Sequence, residues 1–154
     1  MNTLQMKISL LGYIATFFIP ILVLKAQEPV DFVQDVKPIL ELNCVSCHRE
    51  DKAKGKLRLD TAAEAFKSDD VIVKGKPEES SLYYLTTFPV DDDEIMPPQD
   101  SPEQSYPLPK FEQDILKRWI AEGAKWPEGV TLAPAKRLPK TLTFVDHIQP
   151  ILEF

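Results

Sequence analysis

The run Cys44-Val45-Ser46-Cys47-His48 constrains this chain more than any other feature, and it holds both of its cysteines. Two cysteines separated by two residues and followed at once by a histidine have the spacing of a covalent haem attachment site. Each thiol adds across one haem vinyl group, and the two intervening residues set the sulfurs at the vinyl separation. His48 then lies under the iron and supplies its imidazole nitrogen as the proximal ligand. Three other chemistries use a cysteine pair. A redox dithiol of the thioredoxin kind accompanies a βαβ pattern, which does not surround Cys44 and Cys47. A closed zinc site needs a second Cys/His pair, which the sequence lacks. A simple disulfide is compatible with the spacing.

The beginning of the chain sets the compartment. Lys7 is followed by an uncharged, largely apolar stretch from Ile8 to Leu24, then Lys25, Ala26 and Gln27. A basic start, an apolar middle and a small residue at a polar boundary read as a secretory signal peptide over residues 1–26. The apolar stretch is short for a bilayer span and contains Pro20, although an uncleaved anchor is the alternative. Either way the remainder faces the far side of a membrane, in the periplasm or outside the cell. Loss of Lys7 and Lys25 takes the net charge from −6 to −8. That balance gives no electrostatic footprint for nucleic acid. Free thiols in an oxidising compartment need a reason, and haem attachment supplies one.

A haem iron held by His48 has a sixth position. Met1 and Met6 fall in the signal segment, so Met96 is the one methionine of the mature chain, within Glu94-Ile95-Met96-Pro97-Pro98. A loop stiffened by two prolines holds a thioether over the iron at low entropic cost. Such a ligand favours reduced iron and raises the potential. The alternative is a methionine that fills a gap in the core. His147 is the other nitrogen donor, far downstream beyond a proline-containing stretch.

Hydrophobic spacing predicts helices. Phe32, Val36 and Leu40, with Ile39, mark Asp31 to Asn43, where Pro38 imposes a kink or a second start. Asp60 is a candidate N-cap for a short helix over Thr61 to Phe66. Pro77, with Glu78 and Glu79, suits the first turn of a helix running to about Thr86. Val90 to Leu108 is loop. Phe111, Ile115 and Trp119, with Leu116 and Ile120, stripe a last helix that ends at Gly123. No stretch alternates as a strand does. The expected fold is all-α, a small cytochrome c-like helical domain around a covalently bound haem. Trp119 is expected in the core, with one of Tyr83 and Tyr84 buried and the other exposed.

From about Asp31 to Pro127 the chain resembles the planctomycete-type cytochrome c domain, a divergent branch of the class I cytochromes c. The resemblance rests on Val36-Lys37-Pro38-Ile39-Leu40 ahead of the cysteine motif, then Leu57-Arg58-Leu59-Asp60-Thr61 and Gly75-Lys76-Pro77-Glu78-Glu79-Ser80-Ser81-Leu82. Met96-Pro97-Pro98 and Leu116-Lys117-Arg118-Trp119-Ile120-Ala121-Glu122-Gly123-Ala124 complete the ordered series. It implies one haem c bound through Cys44 and Cys47, with His48 and Met96 as axial ligands. The chain departs from the family at Phe66-Lys67-Ser68-Asp69-Asp70, where glycines are common.

A repeat extends this picture. Phe32 to Leu42 is similar to Phe144 to Phe154 at an offset of 112, with Phe, Val, Pro, Ile, Leu and Glu recurring. The organisation expected is a signal peptide at 1–26, a cytochrome c domain at 27–130, a proline-containing linker at 131–143 and the start of a second repeat at 144–154. In this alignment His147 falls on Asp35, a polar-face position. Further domains in a longer protein are the expectation.

Electron transfer by Fe(III)/Fe(II) cycling is the function these features favour, with no catalytic activity of the chain's own. A haem subunit of a larger redox enzyme, such as a peroxidase or dehydrogenase, and a haem-based sensor are the alternatives. Asp91-Asp92-Asp93-Glu94 reads first as a solvated loop, and otherwise as a patch that steers a basic redox partner.

Overall fold

Asp31 starts the helical part of the chain, which the computed structural model describes over residues 28–99, 107–135 and 149–152. The signal segment, His147 and the proposed linker beyond Ala135 lie outside the described residues. Asp31 is extended (φ −84°, ψ 124°), and its carboxylate accepts from the Gln34 N–H at 2.8 Å, as an N-cap does. Behind it comes a π-helical turn, Phe32–Val36, and then helix α1, Lys37–Asn43. Pro38 stands at the second position of α1, where its missing N–H would have had no helical partner. The backbone stays right-handed helical through Val36 and Lys37, so the proline marks a change from π to α winding with no break in the helix.

A two-residue hairpin follows, β1 (His48–Arg49) against β2 (Lys52–Ala53), paired antiparallel with His48 opposite Ala53. It is too short to leave an alternating pattern in sequence. Helix α2, Ala62–Ala65, is capped by Thr61, whose hydroxyl accepts from the Glu64 N–H at 3.3 Å. The cap is thus one residue later than expected, because the Asp60 carboxylate is engaged by the Arg58 guanidinium at 2.9 Å. The helix expected from Pro77 is broken in two. A 3₁₀ turn at Pro77–Glu79 ends at extended Ser80, and α3 spans Ser81–Tyr84 before a second 3₁₀ turn at Leu85–Thr87. Ser80 is fully buried, and its hydroxyl accepts from the Val73 N–H while donating to the Lys76 carbonyl. Those local bonds compete with a continuous helix.

Helix α4, Lys110–Ala121, carries the core face. Leu116, Trp119 and Ile120 pack with Phe32, Val36, Ile39 and Leu40 in one apolar cluster. The Phe32 ring lies 5.6 Å from Trp119 and 4.3 Å from Trp126. Trp119 is buried as expected, Tyr83 is buried and Tyr84 half-buried. Phe111 is 64% exposed, contrary to the stripe drawn from the sequence. Each i,i+4 step rotates about 40° around a helix, so a stripe traced from Trp119 back to Phe111 leaves the buried side. The helix closes with the Gly123 N–H on the Ile120 carbonyl and the Ala124 N–H on the Trp119 carbonyl, with Gly123 at φ +99°.

The packed chain runs past Val130. Thr131 bridges Thr61, buried Leu132 donates its N–H to the Asp60 carbonyl, and the Ala133 N–H reaches the Glu41 carboxylate at 3.0 Å. The Ala135 N–H then donates to the Glu41 carbonyl. The first residues of the expected linker therefore pack against the domain, with Leu132 in its core. A short helix α5, Gln149–Leu152, stands near the end of the chain, with Leu152 68% exposed. No described helix is long and apolar enough to cross a membrane.

Candidate haem site

The carboxyl end of α1 winds directly into the cysteine motif. The Cys44 and Val45 N–H groups both donate to the Leu40 carbonyl, and those of Cys47 and His48 donate to the Cys44 carbonyl at 3.1 and 3.0 Å. This tight turn sends Val45 to one side and its neighbours to the other. Val45 is fully buried in the core, whereas Cys44, Ser46, Cys47 and His48 line a cleft. Arg49 fastens the turn by donating to the Ser46 carbonyl at 2.7 Å while its guanidinium pairs with Asp51.

The cleft encloses about 620 Å³, including space open to solvent. Leu57, Leu59, Leu82, Leu85 and Leu108 form apolar walls, and Met96, Pro97 and Pro98 form another part of the lining. Met96 reaches the cleft from its loop because its neighbours are anchored. Ile95 and Pro97 are buried, and the Met96 N–H donates to the Leu85 carbonyl at 3.1 Å. The Met96 side chain itself is 36% exposed. The four residues singled out in sequence, Cys44, Cys47, His48 and Met96, thus face one cavity.

Several details test whether these residues suit a haem. Cys44 and Cys47 are free thiols, so the disulfide reading is not the one observed. Burial pushes the Cys44 thiol up to about 12, helped by the charges of Glu112 and Cys47. A neutral thiol in an apolar cleft is a poor dithiol nucleophile. Among the described residues no group of three or more His, Cys, Asp and Glu is placed to hold a metal, which removes support for a zinc site. The His48 Nδ1 lies 3.1 Å from the Lys54 carbonyl. A carbonyl only accepts, so Nδ1 carries the proton and Nε2 keeps the lone pair in the neutral ring. Burial lowers the His48 pKa, which favours that neutral form. An imidazole oriented by a backbone carbonyl at one ring nitrogen is the form a metal ligand takes. The residues fit a covalent haem.

Sequence reasoning missed two parts of the site. The Lys54 carbonyl leaves no mark in side-chain identity. Asn43 is buried at the cleft wall and donates Nδ2 to the Ile39 carbonyl at 2.8 Å and to Glu112 Oε2 at 3.2 Å. Its signal was present: Asn43 is the polar member of the apolar series Val36, Ile39, Leu40.

Residues 44–100 match the family model for planctomycete cytochrome C. The match takes in the cysteine motif and the Met96-Pro97-Pro98 loop but neither α1 nor α4. No curated protein and no solved structure matches the chain. With free thiols, an oriented histidine and a methionine loop around one apolar cleft, the matched segment is a planctomycete-type cytochrome c domain, a family whose nature implies covalently bound haem c and electron transfer.

Proposed function

We propose that this chain is an exported electron-transfer module carrying one haem c, joined through Cys44 and Cys47 and ligated by His48 and Met96. The observation that carries the reading is the convergence of these four side chains on one apolar cleft. Haem c supplies a one-electron Fe(III)/Fe(II) couple. The chain's own contributions are separate from it. The Lys54 carbonyl holds the His48 ring in one tautomer, the Ile95–Pro97 anchors present the thioether, and five leucines exclude water. Apart from Cys44, Cys47 and His48, no described residue of the cleft lining titrates. A peroxidase would need an acid/base group there, so electron transfer is the better reading.

Export through the signal segment at 1–26 belongs to the same proposal, as does a second domain of this kind. The buried set Phe32, Val36, Ile39 and Leu40 recurs as Phe144, Ile148, Ile151 and Leu152, and capping Asp31 corresponds to Thr143. The repeat therefore keeps the residue types that pack the first helix. The acidic run Asp91 to Glu94 lies within a few residues of Met96 in sequence, which suits a basic redox partner.

The test is the Met96→Ala variant of the mature holoprotein. The parent is expected to show low-spin haem with a Met–iron charge-transfer band. The variant should lose that band and show a lower midpoint potential. A high-spin parent, or a variant spectrum identical to the parent's, would overturn the ligation.

A further inference from the structure

Asn43, in the wall of the cleft beside Cys44, is bonded to Glu112, a residue outside the lining that electron transfer, as described above, does not use. Asn43 is 4% exposed, and its amide donates to the Ile39 carbonyl and to Glu112 Oε2. Glu112 belongs to the first turn of α4, so the pair ties the end of α1 to the start of α4 across the attachment motif. We propose that Glu112 is a positioning and potential-tuning residue, whose carboxylate, bonded to the cleft through Asn43, favours the oxidised iron.

Two observations and one principle support this. Asn43 is buried and lines the cleft, and the dipole of its amide is oriented by Glu112 and Ile39. A carboxylate at the end of such a bond acts through a low-dielectric wall, where a charge is felt more strongly than in water. The charge of Glu112 is already felt at the neighbouring thiol, since it helps to push Cys44 upward. Oxidised haem carries one more positive charge than reduced haem. A fixed negative charge therefore stabilises Fe(III) relative to Fe(II), and its removal raises the potential. Placement in the first turn gives Glu112 a helix-stabilising role as well. That role moves stability but has no reason to move the potential.

The inference rests on the proposed haem site, and one experiment separates the two. The mature full-length holoprotein is compared with Glu112→Gln, which keeps an acceptor oxygen for Asn43 and removes the charge. Asp114→Asn is the control, since Asp114 sits on the same helix but is exposed and paired with Lys110. Absence of covalent low-spin haem in the parent would sink the haem site itself. Given such a parent, E112Q should keep its visible spectrum while its midpoint potential rises. At the parent's midpoint the ratio of reduced to oxidised protein should increase several-fold, and D114N should move it far less. An E112Q potential equal to the parent's, or a shift no larger than that of D114N, would overturn the proposal. If E112Q does not mature, Glu112→Ala, which also removes the charge, is measured in its place: a raised potential supports the proposal, and the parent potential, or failure of both variants to mature, makes Glu112 a purely structural carboxylate.

Discussion

At the scale of single residues, Asp60 shows how much one carboxylate organises. It pairs with Arg58, accepts the Glu50 N–H at 3.2 Å, and its backbone carbonyl receives Leu132. The hydrogen bond from Arg58 holds the Asp60 carboxyl below its usual range. A carboxyl whose folded pKa is depressed adds stability above its unfolded value, and that stability is lost as pH falls through the folded value. Arg58→Gln should therefore lower stability slightly at pH 7, as loss of a partly exposed pair does. The difference from the parent should shrink below roughly pH 4, near the unfolded Asp value. Urea unfolding across that range measures it, and a gap that widens in acid would contradict the pairing. Asp60 also marks a limit of reading by residue type. Aspartate is a good N-cap, so the sequence favoured it, but Arg58 two positions earlier claims the carboxylate and leaves the cap to Thr61. Cys44, Cys47, His48 and Met96 were legible because their chemistry is written in side-chain identity and spacing. The partner of His48 was not, since it is a backbone oxygen placed by the β1–β2 hairpin.

At the scale of elements, the long stripes were legible and the short pieces were not. The α4 stripe and its glycine stop reflect many apolar contacts and one backbone requirement, both visible in sequence. The break at Ser80 depends on bonds to Val73 and Lys76, and those exist only once the preceding loop has folded back. Phe66 to Asp70, where the family's glycines are missing, forms exposed turns. Phe66 itself is anchored edge-on to Trp126 at 6.3 Å and lies under Lys74. Gly123 allows a clean test of the helix stop. An added Cβ would meet nothing within 4 Å, so the cost of Gly123→Ala is the left-handed backbone at φ +99° alone. The expected loss is about 1–2 kcal/mol of stability with an unchanged haem spectrum. A thermal melt reads it, and a neutral substitution would show that α4 can end another way.

For the whole molecule, the question is where the domain stops. The sequence suggested Val130, because prolines and small residues follow. The structure carries the packed chain to Ala135, because Leu132 is buried and Glu41 accepts from Ala133 and Ala135. One apolar residue in a proline-containing run is too weak a pattern to foresee this. Truncation after Ala135 should leave the thermal midpoint within the small range of surface changes, equivalent to about 0.5 kcal/mol. Truncation after Val130 should cost more, about 2–3 kcal/mol, through lost burial of Leu132 and its backbone bonds. Equal behaviour of the two truncations would place the domain boundary at Val130 after all.

The central claim is that Cys44 and Cys47 exist to hold a haem. Acid–acetone extraction of the matured protein tests it most directly, followed by mass measurement of the polypeptide. Two thioether bonds predict that the colour stays with the protein, at the mass of the chain plus one haem. Colourless protein at the mass of the bare chain, with all haem in the organic phase, would contradict it.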